Sequence, residues 1–154
     1  MIVLLDLNYT LVANSKDMRS KPAHVRHSEE QYRTWLIDVI KAMRPEHVFL
    51  VTIRPDHERD WTLTRIKEVT GWEPDRAYFN TLDGVKPEVW KRHVLETILI
   101  PEFGADPRRY LPIESNEDTQ KMYREFGIVG LKAWPVNEPT EPSNARKPER
   151  SLFA

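Results

Sequence analysis

Three chemically capable side chains stand directly behind runs of apolar β-formers. Asp6 ends Met1-Ile2-Val3-Leu4-Leu5, Thr52 ends Val48-Phe49-Leu50-Val51 with Arg54 two residues on, and Glu114 ends Tyr110-Leu111-Pro112-Ile113 with Asp118 four residues on. Lys86, just before Pro87, opens an apolar-periodic stretch between the second and third of these runs. A carboxylate, a hydroxyl, a second acid and an ammonium are parts from which a catalytic constellation is made, provided one surface gathers them. A carboxylate behind five apolar residues is also a costly place for an idle charge.

The elements around these residues say how they could be gathered. Met1–Leu5 reads as a strand buried on both faces, as central parallel strands are. Leu11 to His27 shows no period and is locally basic (Lys16, Arg19, Lys21 and Arg26 against Asp17), so a loop is expected. Ser28 and Gln31 form a capping box for a helix whose inward face is Tyr32, Trp35, Leu36, Val39, Ile40 and Met43. A second strand at Val48–Val51 precedes a helix begun by Pro55, with Trp61, Ile66 and Val69 inward and Gly71 as its C-cap. A short strand at Ala77–Phe79, a helix from Lys86-Pro87 with Val89, Trp90, Val94 and Ile98 inward, a strand at Tyr110–Ile113, a helix from Glu117 to Phe126 and a last strand at Val129–Trp134 complete the pattern. His93 on the third helix reads as packing. Strands alternating with helices predict an α/β, Rossmann-like three-layer fold with a mostly parallel sheet. Ligands in such sheets sit beyond the carboxyl ends of the strands, where Asp6, Asn8, Thr52, Arg54, Glu114 and Asp118 fall. The expected domain is 1–135, followed by a proline-rich, aperiodic tail at 136–154 read as flexible.

The bulk composition narrows the class. At 154 residues one domain can bury its own core. The absence of cysteine excludes disulfides, thiol nucleophiles and thiolate metal sites, and fits a reducing, cytoplasmic setting. The longest apolar runs fall far short of the roughly 18 residues of a membrane span. A net charge of −1 argues against indiscriminate nucleic-acid binding while leaving room for a local basic patch. The oligomeric state is not legible.

Taken in order, these residues resemble the haloacid-dehalogenase (HAD) superfamily of aspartyl-phosphate phosphotransferases. Its Asp-x-Asp-x-Thr motif is matched by Asp6-Leu7-Asn8-Tyr9-Thr10, with Asn in place of the second Asp. Its strand-ending Thr or Ser is matched by Val51-Thr52, its lysine before a helix by Lys86, and its final acidic motif by Glu114-Ser115-Asn116-Glu117-Asp118. Within the superfamily, Thr52-Ile53-Arg54-Pro55, Trp61 and Met122-Tyr123-Arg124-Glu125-Phe126-Gly127-Ile128 leading to Trp134 resemble the phosphatase domain of bacteriophage-type polynucleotide kinase.

The resemblance implies a magnesium-dependent phosphatase working through an aspartyl-phosphate. Asp6 would be the nucleophile, and Mg2+ would take Asp6, the Asn8 carbonyl and Glu114, with Asp118 behind them and Glu117 as an alternative ligand. Thr52 and Lys86 would contact the phosphoryl group, and Arg54, with His57 and Arg59 nearby, would contact substrate phosphates. Asn8 cannot serve as the general acid and base that the family's second Asp provides, a contribution of about 10²–10⁴ in rate. A slow phosphatase, an enzyme for good leaving groups and a non-catalytic phosphate- or partner-binding module therefore all stay open. Only 45 residues separate Asp6 from Thr52, too few for a folded cap domain. Members without caps act on large substrates, which together with the basic Lys16–His27 segment favours a phosphorylated polynucleotide end over nucleotides or other small esters.

Overall fold

The computed structural model describes residues 1–133. Strand β1 (Ile2–Leu5) is followed by a wide turn at Leu7–Leu11, two short helices, α1 (Ser15–Met18) and α2 (Ala23–Glu29), and then α3 (Thr34–Ala42). Strand β2 (His47–Pro55) leads through a 3-10 turn to α4 (Arg59–Thr70), β3 (Arg76–Asn80) and α5 (Pro87–Val94). The helical path continues through a wide turn at Leu95–Leu99 into α6 (Ile100–Phe103), and β4 (Tyr110–Glu114), α7 (Glu117–Glu125) and β5 (Leu131–Lys132) follow.

All five strands are parallel, in the order β3-β2-β1-β4-β5. In register, Ile2 lies beside His47 on one side and Tyr110 on the other. Both faces are covered, which is why β1 has no polar alternation. Val3 and Leu5 pack with Leu36, Ile37 and Ile40 of α3 and Ile66 of α4. Ile2, Leu4, Phe49 and Val51 pack on the other face with Trp90 and Val94 of α5 and Met122 and Tyr123 of α7. The result is the expected α/β, Rossmann-like three-layer arrangement. The connection that leaves β3 returns to the far side of β1, so the order reverses between β1 and β4, and Asp6 and Glu114 end those two strands.

Several local expectations need correction. The segment from Leu11 to His27 is largely helical, as α1 and α2; it shows no period because α2 buries none of its side chains. The Ser28–Gln31 capping box does not form: Ser28 lies in the last turn of α2, donating to the carbonyls of His24 and Val25, and α3 starts only at Thr34. Tyr32 is instead held extended in a bridge with Val12, while Arg33 donates to the carbonyls of Tyr9, Thr10 and Val12. That entry rotates α3, so Ile37 is buried while Trp35 and Val39 are about half exposed. Val69 and Val89 are likewise exposed, and His93 stacks on Trp90. Gly71 caps α4 with φ of 72°, as expected. The last strand is short, and the expected tail at 136–154 lies outside the described residues.

Candidate active site

Asp6 emerges from β1 with its main-chain N–H bonded to the Ile113 carbonyl, which ties it to β4. The wide turn then bends back over the strand end. Thr10 donates its hydroxyl to Asp6 Oδ2 at 2.7 Å, and the other oxygen, Oδ1, accepts from Lys91 Nζ at 2.7 Å. The same ammonium reaches Glu114 Oε2 at 2.5 Å, while Glu114 Oε1 accepts the N–H groups of Ser115 and Asn116. Asp6, Lys91 and Glu114 are 7%, 2% and 2% exposed, so this is a buried triad of two carboxylates and one ammonium. Burial works against the charge on Lys91, but the carboxylates of Asp6 and Glu114 outweigh it and hold the amine above its ordinary range. Burial, and then the charge of Asp6, push Glu114 up to about 7 against the pull of Lys91.

The lysine paired with Asp6 is therefore Lys91, not Lys86. Lys86 is the exposed N-cap residue of α5, where its carbonyl accepts the Val89 N–H. Lys91 sits more than a turn further along that helix, on the face packed against β1 and β4. A charged residue between Trp90 and Arg92 looks locally like part of a solvated face. Its burial makes sense only beside two acids that arrive from other strands.

Thr52 is fully buried, and its hydroxyl accepts the N–H of Arg54. Arg54 turns toward the wide turn, where its Nε and Nη2 each donate to Asn8 Oδ1 at 3.0 Å. Its other contacts are a bidentate pairing with the buried Glu30 and a bond to Thr62. A guanidinium only donates, so this grip fixes the Asn8 amide with its oxygen on Arg54 and its NH₂ turned away. Glu30, which no pattern in the sequence singles out, is thus part of the site's framework. Beside Asp6 opens a cleft of about 260 Å³ lined by Asp6, Asn8, Tyr9, Ile53, Lys91 and Glu114, among others.

The donors for a magnesium ion are fewer than the sequence suggests. Asp118 is exposed in the first turn of α7, Glu117 pairs with Lys132 and Arg124, and Glu114 has both oxygens engaged. Among the described residues no group of three His, Cys, Asp or Glu could hold a metal. What remains is the Asn8 carbonyl and Asp6 Oδ2, which already accepts from Thr10; the Ser115 hydroxyl lies 3.4 Å from each, so a cation bound between them would take the place of that hydroxyl. Magnesium habitually keeps several waters and takes one or two carboxylates plus substrate phosphate, so this pair fits an ion completed by water and a phosphoryl group.

The fold is HAD-like. A HAD family enzyme from Bacteroides thetaiotaomicron, in an aspartate-to-alanine form complexed with magnesium and inorganic phosphate, superposes with a TM-score of 0.55 at 12% identity, over 91% of this chain and 97% of that one. A chain of the Pnkp1/Rnl/Hen1 complex superposes with a TM-score of 0.66 at 18% identity, over 85% of this chain, and one of the Pnkp1/Rnl/Hen1 RNA repair complex with 0.64 at 20%, over 85%. This chain spans 45% and 41% of those two chains. The fold is thus shared with a part of each of those two chains. No family model and no curated protein matches the sequence. No helix among the described residues is long and apolar enough to cross a membrane.

Proposed function

We propose that this protein is a slow HAD-type phosphatase, a phosphoric monoester hydrolase acting on phosphorylated polynucleotide ends, with Asp6 as the nucleophile. The observation that carries the reading is the setting of Asp6: it ends the central strand, is held by Thr10 and Lys91, and borders an open cleft. In the first step an Asp6 oxygen bonds to phosphorus and the ester P–O bond breaks. Lys91 offsets the repulsion between Asp6 and the anionic ester. Magnesium, held by Asp6 and the Asn8 carbonyl when bound, would supply further charge stabilisation of the phosphoryl oxygens. Water hydrolysing the acyl phosphate then frees Asp6 and inorganic phosphate. The leaving alkoxide takes its proton from water, because the amide of Asn8 has none to give, and this is why turnover is slow. The polynucleotide preference rests on the uncapped cleft and on Lys16, Arg19 and Lys21, which are exposed on the α1–α2 side and have no acidic partner among the described residues. The kinship with folds in RNA repair complexes agrees with it.

One observation favours a second reading, a phosphate-holding module without turnover. The Arg54–Glu30 clamp fixes Asn8 as a donor, an arrangement suited to binding an anion and useless for protonating a leaving group. Phosphate release from 5′- and 3′-phosphorylated oligonucleotides and mononucleotides, with and without magnesium, separates the two. The enzyme reading expects magnesium-dependent release that Asp6→Asn abolishes and that weakens as salt rises. Release no greater than that of Asp6→Asn from every ester, with inorganic phosphate still bound, would establish the second reading.

A further inference from the structure

A second cleft, of about 140 Å³, lies on the other side of Asn8 and Tyr9, bordered by Ser15, Arg19, Arg26 and Arg54. Asn8 and Tyr9 line both clefts, so the two spaces share a wall. Two of the three guanidiniums around the smaller cleft are neutralised, Arg26 by Glu58 at 2.6 Å and Arg54 by Glu30. Arg19 is exposed and has no acidic partner among the described residues, so it gives this cleft a net positive charge open to solvent.

The shared wall is itself unusual. Tyr9 has φ of 63°, a left-handed conformation that suits glycine and is an outlier for a bulky side chain. It is held there by the bond from its N–H to Ser15 Oγ at 2.7 Å and by the closure of the turn from Val12 N–H to the Leu7 carbonyl. Such strain persists where surrounding structure imposes it, often at ligand sites. The Tyr9 ring is half-buried and makes no aromatic or cationic contact among the described residues, although Arg26, Arg54, His27 and Trp61 cluster nearby on one another. A strained aromatic between the larger cleft at Asp6 and a cationic one is placed to receive a flat ring.

Building on the phosphoryl-site reading above, we propose that the smaller cleft seats the nucleotide next to the terminal phosphate. Tyr9 stacks on a base, and Arg19 takes the following phosphodiester. The minimal tight ligand is then a phosphorylated dinucleotide, because a mononucleotide offers Arg19 no second phosphate. Arg19 and Tyr9 are specificity determinants outside the Asp6 chemistry.

Calorimetric titration of the whole chain in magnesium tests this, using inorganic phosphate, a phosphorylated mononucleotide, phosphorylated ribo- and deoxyribo-dinucleotides, and the same dinucleotides without the terminal phosphate. The phosphorylated dinucleotides should bind at least about tenfold more tightly than the mononucleotide. Tyr9→Gly, which also relieves the strained φ, should cost them about 5- to 100-fold, the range for losing one base–aromatic stack. Tyr9→Phe should retain the affinity, and Arg19→Gln should weaken the dinucleotides while leaving inorganic phosphate unchanged. A difference between the ribo and deoxy ligands identifies which polymer is read. If the dinucleotide gains nothing over the mononucleotide and the Tyr9 and Arg19 variants bind as wild type, the subsite is refuted while the phosphoryl site stands. If dinucleotides bind equally with and without the terminal phosphate, in a Tyr9- and Arg19-dependent way, the subsite stands and the phosphoryl reading falls. If nothing binds, both fall.

Discussion

Glu114 should make the stability of this protein depend on pH in a direction opposite to that of an ordinary surface acid. Its carboxyl is 2% exposed and lies with Asp6 around a single ammonium, and its pKa rises from an ordinary 4.5 to about 7. A raised pKa means that the folded state holds the proton more tightly than the unfolded chain does. The stability linked to it is therefore fully present below about pH 4.5 and is lost as pH rises through about 7. At 1.36 kcal/mol per unit the whole window amounts to about 3 kcal/mol, most of which falls between pH 5 and 8. Glu114→Gln removes the titrating group. The variant will lose some stability at every pH, because one amide cannot satisfy Lys91 and two main-chain N–H groups as a carboxylate does. The difference in slope is the readout. Urea unfolding at pH 5, 6, 7 and 8, in EDTA, should show wild-type stability falling by about 2–3 kcal/mol more than that of the variant across this range. Parallel curves for the two proteins would refute the assignment of a raised pKa to Glu114. A variant that falls more steeply than wild type would refute its sign.

Three further outcomes follow from the geometry. Lys91→Met should cost about 3–5 kcal/mol at pH 8, since it leaves two buried carboxylates without a cation, whereas Lys86→Met at the exposed N-cap should change stability by less than about 0.5 kcal/mol; equal effects in urea unfolding would mean that Lys91 is not the cation on which Asp6 and Glu114 depend. Asn8→Asp should raise turnover of alkyl phosphates at pH 7 by well under the about 10²–10⁴ of a tuned general acid, because Arg54, bonded to this side chain through two nitrogens, would keep the new carboxyl ionised; a gain of full size would mean that Arg54 does not hold it. Gly130→Ala would bring a Cβ within 2.6 Å of the Pro112 carbonyl, so thermal unfolding should reveal a loss of about 1–3 kcal/mol as β5 is pushed from β4, and an unchanged Tm would refute that close approach.

The parts of the molecule legible from sequence were those with a local cause. Five apolar residues before Asp6, and matching runs before Thr52 and Glu114, located the central strands, because strands covered on both faces have no polar alternation to obscure them. The site was less legible because its partnerships are long-range. Lys86 drew attention as a lysine before a proline, but the choice between it and Lys91 depends on which residue of α5 faces Asp6 and Glu114. Glu30 could be valued only once Arg54 was seen to turn back on it. Ser28 and Gln31 had the residue types of a cap, and yet Tyr32 and Arg33 were claimed by the turn after β1, which kept the chain extended and moved the start of α3. The basic segment's lack of period reflects a four-residue α1, too short to show one, and an α2 that buries none of its side chains.

The triad also dates the appearance of the site during synthesis. Lys91 reaches back 85 residues to Asp6, and Ser115 reaches back 109. A nascent chain that has released β1, β2 and β3 already carries Asp6, but without the cation that makes its burial tolerable or the strand that completes its cleft. Until β4 inserts beside β1, the end of the first strand has reason to stay wet and the partial sheet has an unpaired central edge. Closing that edge through a long parallel crossover is slow compared with local helix formation. Folding competence and phosphate affinity should therefore arrive together, late, as one event: a ribosome-stalled chain ending before Glu114 would neither protect β1 from proteolysis nor bind an anion.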